Sequence, residues 1–132
     1  MKLHSKDTTC IEICCVLLGE YRNGIWHAKL SWEKSGSHEA VEFDGRRVLE
    51  REERFGDVVG FYHTHPEGFC QFSERDRRTM YAWCFSFGKP LICAIGTSQG
   101  VKAWLFEPEK EHPEECRQVS AFKRNWFVAT MR

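Results

Sequence analysis

Two histidines and an aspartate have the spacing of a metal site. His63 and His65 are two residues apart in an apolar segment that predicts a β-strand, so their side chains leave one face and can converge on one ion. Asp76 lies in the first turn of a predicted helix, after a loop in which Pro66 ends the strand and Gly68 lets the chain turn. Three such ligands suit Zn²⁺ and leave a fourth position for water. The spacing predicts a catalytic zinc site.

The same residues also have purely structural interpretations. Hydrogen bonds alone can satisfy a His-x-His pair on a strand. Ser73 and Asp76 form the Ser-x-x-Asp pattern of a capping box, in which the serine caps the helix and the aspartate lies at its positive end. We expect this capping whether or not a metal binds.

Glu12 is a candidate general base because it is an acidic residue in an apolar segment. On a strand it shares a face with Cys14, Val16 and Leu18. A carboxylate there is costly unless it has partners or a raised pKa, and either outcome suits a base. The alternative is an edge-strand residue that points to solvent.

Together these residues resemble the JAMM signature of the JAB/MPN metalloproteases, His-x-His-x7-Ser-x2-Asp. His63, His65, Ser73 and Asp76 match all four positions of that motif. In the family, an earlier strand carries a catalytic Glu that is followed after six residues by Gly, and segment 12–19 is similar.

The resemblance covers roughly residues 10–108 and implies a zinc-dependent hydrolase. It implies that the two histidines and Asp76 bind one Zn²⁺, that Glu12 is the general acid/base, and that the Ser73 hydroxyl bonds the tetrahedral intermediate. It also implies an isopeptidase or peptidase that cuts after the C-terminal Gly of a ubiquitin-like protein. That protein, its conjugates and E1/E2-like enzymes are the expected partners.

Other functions stay open. A JAMM hydrolase can act on a small amide or on a sulfur-carrier or Cys conjugate, because zinc chemistry fixes hydrolysis but not the substrate. A non-catalytic MPN scaffold typically loses motif ligands, which this chain keeps. Cys70 with one of the two histidines is a candidate nucleophile. His112 and Cys116, at helical spacing, are two candidate ligands for a second zinc.

The chain departs from the family pattern at two places. Eleven residues precede Glu12, too few for the helix that family members place before this strand, so we expect the C-terminal helix or a partner chain to cover that face. Thr97–Gly100 separate the last two predicted strands, where ubiquitin-chain-specific members often carry an insertion. A simple cut after a ubiquitin-like tail is therefore favoured over linkage-selective cleavage.

The elements that position these residues follow from hydrophobic periodicity and turn signals. The predicted strands are Cys10–Leu18 and Ile25–Trp32, which form a hairpin, then Val58–His65, Leu91–Gly96 and Val101–Glu107. The predicted helices are Gly45–Phe55, one that starts at Ser73, and an amphipathic helix over Glu114–Met131. This order predicts an α+β fold, a curved mixed or antiparallel sheet flanked by two or three helices, in one domain over residues 1–132.

Composition narrows the functional classes. Nineteen Lys plus Arg balance nineteen Asp plus Glu, a net charge of +0 that argues against a nucleic-acid binder. No apolar run approaches the roughly 18 to 20 residues of a membrane span, and the start lacks a secretory signal. The chain has seven cysteines, an odd number, and several of them lie in apolar segments. This pattern predicts reduced thiols rather than a disulfide framework. We therefore expect a cytoplasmic protein without membrane contact.

Overall fold

A computed structural model describes residues 11–37, 44–65, 71–122 and 126–131. The strands are β1 (Ile11–Arg22), β2 (Ile25–Ser37), β3 (Val58–Thr64), β4 (Leu91–Thr97), β5 (Gly100–Phe106), β6 (Glu114–Glu115), β7 (Gln118–Phe122) and β8 (Trp126–Thr130). The helices are α1 (Gly45–Phe55) and α2 (Glu74–Phe87). These elements confirm the predicted α+β class.

The eight described strands form one mixed sheet in the order β6-β5-β4-β3-β1-β2-β8-β7. β3 and β4 are parallel, and every other neighbouring pair is antiparallel. A parallel pair needs a crossover connection, and α2 lies in that connection. β3 is therefore an interior strand, between β1 and β4.

The hairpin predicted near the start of the chain is confirmed. Arg22 pairs with Ile25, which leaves Asn23 and Gly24 as a two-residue turn. Their φ angles are 54° and 81°. Positive φ at both central positions is the requirement of a type I′ turn, and Asn-Gly satisfies it at low cost.

Both helices begin and end at residues that suit helix caps. The Asp44 side chain accepts a hydrogen bond from the Arg47 N–H at the start of α1, and Ser73 caps α2. Gly56 and Gly88 end the two helices with φ of 64° and 68°, a left-handed conformation in which glycine avoids Cβ strain. Neither described helix combines the length and the apolar character needed to cross a membrane.

Two ion pairs connect α1 to the residues just before β3 and β4. The Arg51 guanidinium donates hydrogen bonds of 2.9 and 2.6 Å to the two carboxylate oxygens of Asp57, just before β3. These bonds hold the pKa of Asp57 below its ordinary value. The Lys89 ammonium, just before β4, lies 2.9 Å from the Glu52 carboxylate. The helix is thereby tied to the starts of both parallel strands.

Buried side chains form one cluster on each face of the sheet. The first includes residues of both helices: Val16, Val48, Val58, Phe61, Met80, Cys84, Leu91, Cys93, Ile95, Trp104 and Phe106. The second comes from the strands and the β6–β7 connection: Leu17, Trp26, Ala28, Val59, Ile92, Ala94, Ala103, Leu105, Cys116, Phe127 and Ala129. The two helices thus cover the first face.

The second cluster lies inside a curl of the sheet. β6 and β7 are at opposite edges of the strand order, yet only Cys116 and Arg117 separate them in the chain. The Cys116 N–H donates to the Ala103 carbonyl of β5 at 2.8 Å, and the Arg117 N–H donates to the Thr130 carbonyl of β8 at 2.7 Å. The two edges therefore approach each other, and the strands enclose the second cluster.

The prediction of an amphipathic helix over Glu114–Met131 is wrong. This segment contains β6, β7 and β8. In β8, Phe127 and Ala129 are buried while Trp126 is 52% exposed, which is the two-residue period of a strand. A short segment with mixed charged and apolar residues fits both periods, and pairing with distant β2 and β5 decides between them. The described residues therefore include no C-terminal helix to cover the face before β1.

Candidate metal centre

The two histidines lie at the carboxyl end of β3. His63 pairs with Cys14 of β1 on one side and with Ile95 of β4 on the other. His65 follows the last strand residue, and its N–H donates to the Gly96 carbonyl of β4 at 3.0 Å. Backbone bonds to a buried neighbouring strand thus hold both residues, and their rings are 4.9 Å apart between centroids.

Asp76 reaches the histidines from the first turn of α2. The Asp76 N–H donates to the Ser73 Oγ at 3.0 Å, and the Ser73 N–H donates to the Asp76 Oδ2 at 2.9 Å. This reciprocal pair is the predicted capping box. It leaves Asp76 little freedom to rotate, so the cap also orients the carboxylate.

The three side chains meet at distances that suit a tetrahedral ion. The Nε2 atoms of His63 and His65 are 3.1 Å apart. The Asp76 carboxylate lies 3.2 Å from the His63 Nε2 through Oδ1 and 3.4 Å from the His65 Nε2 through Oδ2. Ligands bound tetrahedrally to Zn²⁺ at about 2.0 to 2.1 Å are about 3.3 Å apart. The donor atoms therefore already have the spacing that zinc requires.

Hydrogen bonds alone do not satisfy this cluster. An ionised Asp76 only accepts hydrogen bonds, so each of its contacts needs a hydrogen on the facing Nε2. With both hydrogens directed at Asp76, neither Nε2 has a hydrogen or a lone pair left for the 3.1 Å contact between His63 and His65, so that contact is not a hydrogen bond. A cation between the three residues removes the conflict, because it takes a lone pair from each. The donor set thus fits a metal ion better than it fits its own hydrogen bonds.

Electrostatics keep Asp76 ready to bind a cation. Burial opposes its ionisation, but hydrogen bonds from His63 and His65 and from the Ser73 N–H outweigh burial and hold the pKa of this carboxyl well below its ordinary value. The side chains of the three residues are 17%, 16% and 18% exposed. The centre is thus shielded but still reachable from solvent. Within the described ranges, it is the one group of three His, Cys, Asp or Glu side chains close enough to share a metal.

The other two predicted site residues lie at the start of α2 and on β1, the strand that neighbours β3. Ser73 is the exposed residue that caps α2, one turn before Asp76. Glu12 belongs to β1, where its backbone pairs with Gly36 of β2, and it lies two residues before Cys14, the partner of His63. The side chain of Glu12 lies outside the described residues, so its role as a base stays a prediction.

The cysteines that the structure describes are buried and are not joined in disulfides, as predicted. They are Cys14, Cys15, Cys84, Cys93 and Cys116. Burial raises the pKa of Cys15 and Cys116 to about 12 and that of Cys84 to about 11, so these thiols stay protonated at neutral pH. They are poor nucleophiles for that reason. Cys70, the alternative nucleophile, lies outside the described residues.

The second zinc site is not supported. His112 is 85% exposed, whereas Cys116 is buried. The helical spacing that would have brought them together does not exist, because this segment is not helical.

The sequence did not reveal the contacts that fix the position of α2. The Arg77 guanidinium donates to the Glu111 carbonyl at 2.9 Å, and the Tyr81 hydroxyl donates to the Lys110 carbonyl at 2.8 Å. The Phe72 ring, just before the cap, lies 5.0 Å from the Trp104 ring. These contacts hold the start of α2 against β5 and the segment after it. The only local signal is the four-residue spacing of Arg77 and Tyr81, which places them on one helix face.

Comparison with known proteins identifies the family. The model of the family described as prokaryotic homologues of the JAB domain matches residues 1–107. That range includes both helices, β1 to β5 and the three donor residues. A search of curated proteins found no match to the chain. On the strength of the family match, the chain belongs to the prokaryotic homologues of the JAB domain.

Proposed function

We propose that this protein is a zinc-dependent isopeptidase that hydrolyses the amide bond after the C-terminal Gly of a ubiquitin-like protein. The observation that carries the proposal is the cluster of His63, His65 and Asp76, whose donor atoms lie within 4.8 Å of one another. The JAB family includes zinc metalloproteases. Three protein ligands are typical of a catalytic zinc, whereas structural zinc sites usually have four.

Each residue has a distinct role in the proposed reaction. His63, His65 and Asp76 hold the ion, and when bound, zinc supplies a water with a pKa near about 7 and a Lewis acid for the carbonyl. Glu12 takes the proton of the attacking water and returns it to the leaving amine. The Ser73 hydroxyl accepts a bond from the Asp76 N–H, so its own hydrogen can be donated to the developing oxyanion.

The substrate proposal rests on the JAMM signature and on the compact turn after β4. Thr97 pairs directly with Gly100, so this turn carries no insertion. Cleavage after an extended tail of small residues needs less recognition surface than selection of one type of chain linkage. Such a tail binds well by strand addition, in which backbone hydrogen bonds supply affinity. We place the reaction in the cytoplasm, with E1/E2-like enzymes as partners, and the reduced thiols of the described cysteines fit a reducing compartment.

Metal content tests the donor set. The wild-type protein should contain one zinc per chain by elemental analysis, and the His63→Ala and His65→Ala variants should lose most of it. His112→Ala is the matched control, since this histidine is 85% exposed and outside the cluster. Glu12→Gln should keep zinc but lose turnover, because the base is not a ligand. Unchanged zinc in both ligand variants would refute the site.

Substrate assays separate isopeptidase activity from the alternatives. The zinc-loaded protein should cleave a ubiquitin-like protein fused or isopeptide-linked through its C-terminal Gly. A chelator should abolish cleavage, and a thiol-alkylating reagent should not. If the protein hydrolyses a small amide or a Cys conjugate but leaves the ubiquitin-like fusions uncleaved, the result would favour the small-substrate JAMM hydrolase. Stable zinc binding with no hydrolysis would favour an MPN scaffold.

A further inference from the structure

The residue between the two histidines makes a long-range hydrogen bond. Thr64 Oγ1 accepts a bond of 2.9 Å from the Ile13 N–H, 51 residues away in the chain. From this bond we propose that Thr64 is a positioning residue, which fixes the start of β1, and with it the backbone of Glu12, against the histidine strand. This inference rests on the proposed function, since it assigns Thr64 a part in placing the proposed base.

The bond lies where the backbone pairing between β1 and β3 ends. Cys14 and His63 form the last pair of that ladder. In a regular antiparallel ladder, the next step would pair Ile13 with Thr64 through their backbones. Here the side chain of Thr64 takes the Ile13 N–H instead. β3 meanwhile stays joined to β4, through the His65 N–H and the Gly96 carbonyl.

The Thr64 hydroxyl therefore sets the separation between the start of β1 and β3. On the other side, the backbones of Ile11, Glu12 and Ile13 pair with Ser37, Gly36 and Ser35 of β2. That ladder ties the start of β1 to β2 but leaves its separation from β3 to other contacts. Among the described hydrogen bonds of these three residues, the bond to Thr64 is the one that reaches β3.

A threonine suits this task because its side chain is stiff. Branching at Cβ restricts χ1, so the hydroxyl holds its direction without much loss of freedom on folding. A misplacement of about 1 Å at a catalytic group can cost about a hundredfold in rate. A single bond next to the proposed base can therefore affect turnover without affecting the metal ligands.

The experiment removes the hydroxyl and keeps the shape. Thr64→Val should lower kcat by about tenfold to a hundredfold, with KM within about twofold and zinc content unchanged. The Ile13 N–H should exchange with solvent about tenfold faster, measured by NMR. Thr64→Ser, which restores the acceptor, should recover most of the kcat and the protection. A fall in the zinc content of Thr64→Val would instead indicate damage to the metal site, and it would contradict the positioning role.

Thr97→Val is the matched control. It removes a similar bond that the Thr97 Oγ1 accepts from the Gln99 N–H at 3.0 Å, together with a 3.5 Å bond that it donates to the Gly100 carbonyl. Both bonds lie in the turn between β4 and β5, and their loss should leave kcat unchanged. Wild-type kcat in Thr64→Val, or failure of Thr64→Ser to restore it, would overturn the positioning role alone. An inactive, zinc-loaded wild-type protein would overturn the proposed function, and with it this inference.

Discussion

At the residue scale, Asp76 both caps a helix and belongs to the candidate metal centre. Its Oδ2 accepts the Ser73 N–H and faces the His65 Nε2, while its Oδ1 faces the His63 Nε2. The capping interpretation and the metal interpretation therefore do not compete. The cap fixes the helix start, and the same hydrogen bond aims the carboxylate at the histidines.

Ser73→Ala should separate the capping role of Ser73 from its proposed role as an oxyanion donor. Loss of the cap should destabilise the protein by about 1 kcal/mol, measured by urea unfolding. Loss of the proposed oxyanion donor should lower kcat by about a hundredfold to a thousandfold, far more than that destabilisation explains. Zinc should stay bound, because Ser73 is not a ligand.

Asp44→Ala provides the control for this variant. Asp44 caps α1 through the Arg47 N–H, so its loss should produce a similar fall in stability. It is not part of the proposed centre, and kcat should not change. Equal kcat in the two variants would mean that Ser73 serves the helix alone.

The sequence predicted the three candidate metal ligands and the Ser73 cap beside Asp76, but not the long-range contacts that hold them. His63, His65 and Asp76 follow from local spacing, because a strand and a helix start fix which side chains share a face. The hydrogen bond from the Ile13 N–H to the Thr64 Oγ1 joins residues that are 51 apart in the chain. No local sequence pattern predicts such a bond. The predicted role of Glu12 depends on a side chain that the described residues do not include.

At the element scale, local signals were enough for the segments around the site. The Asn23-Gly24 turn, the caps at Asp44 and Ser73, and the apolar run of β3 all act within a few residues. The C-terminal strands are different, because their partners lie far away in the chain: Ile25 pairs with Thr130. Tertiary contact therefore overrides the apparent helical pattern there.

Gly60 should be essential to the register of β3 and β4. A Cβ at this position would lie 2.1 Å from the Ile92 carbonyl oxygen, in the backbone of the neighbouring strand. Because the backbone has little room to move, Gly60→Ala should destabilise the protein by about 2 to 3 kcal/mol. Urea unfolding measures this change.

Gly45→Ala tests whether the cost at Gly60 comes from strand contact. A Cβ at Gly45 would meet the Trp83 ring at 3.7 Å, an ordinary contact. Gly45 begins α1, where alanine has the higher helix propensity, so stability should be unchanged or rise by up to about 1 kcal/mol. Similar stability of both variants would argue against tight β3–β4 packing.

At the scale of the whole molecule, the site and the curl use opposite faces of one sheet. The centre lies on β3 with α2, beside the cluster under the helices, while the inner cluster depends on the C-terminal strands. The family match ends at residue 107, before β6. The inner cluster therefore depends in part on a segment that the match does not include.

Phe127→Ala tests whether β8 closes the inner core. Phe127 is 0% exposed and pairs with Ala28 of β2, so its truncation should leave a cavity and cost about 3 to 5 kcal/mol in urea unfolding. The neighbouring Trp126 is 52% exposed, and Trp126→Ala should cost less than about 1 kcal/mol. In a strand, adjacent side chains point to opposite faces of the sheet, which accounts for this difference between the two aromatic residues. Equal losses in the two variants would contradict a strand at this position, because both rings would then be equally buried.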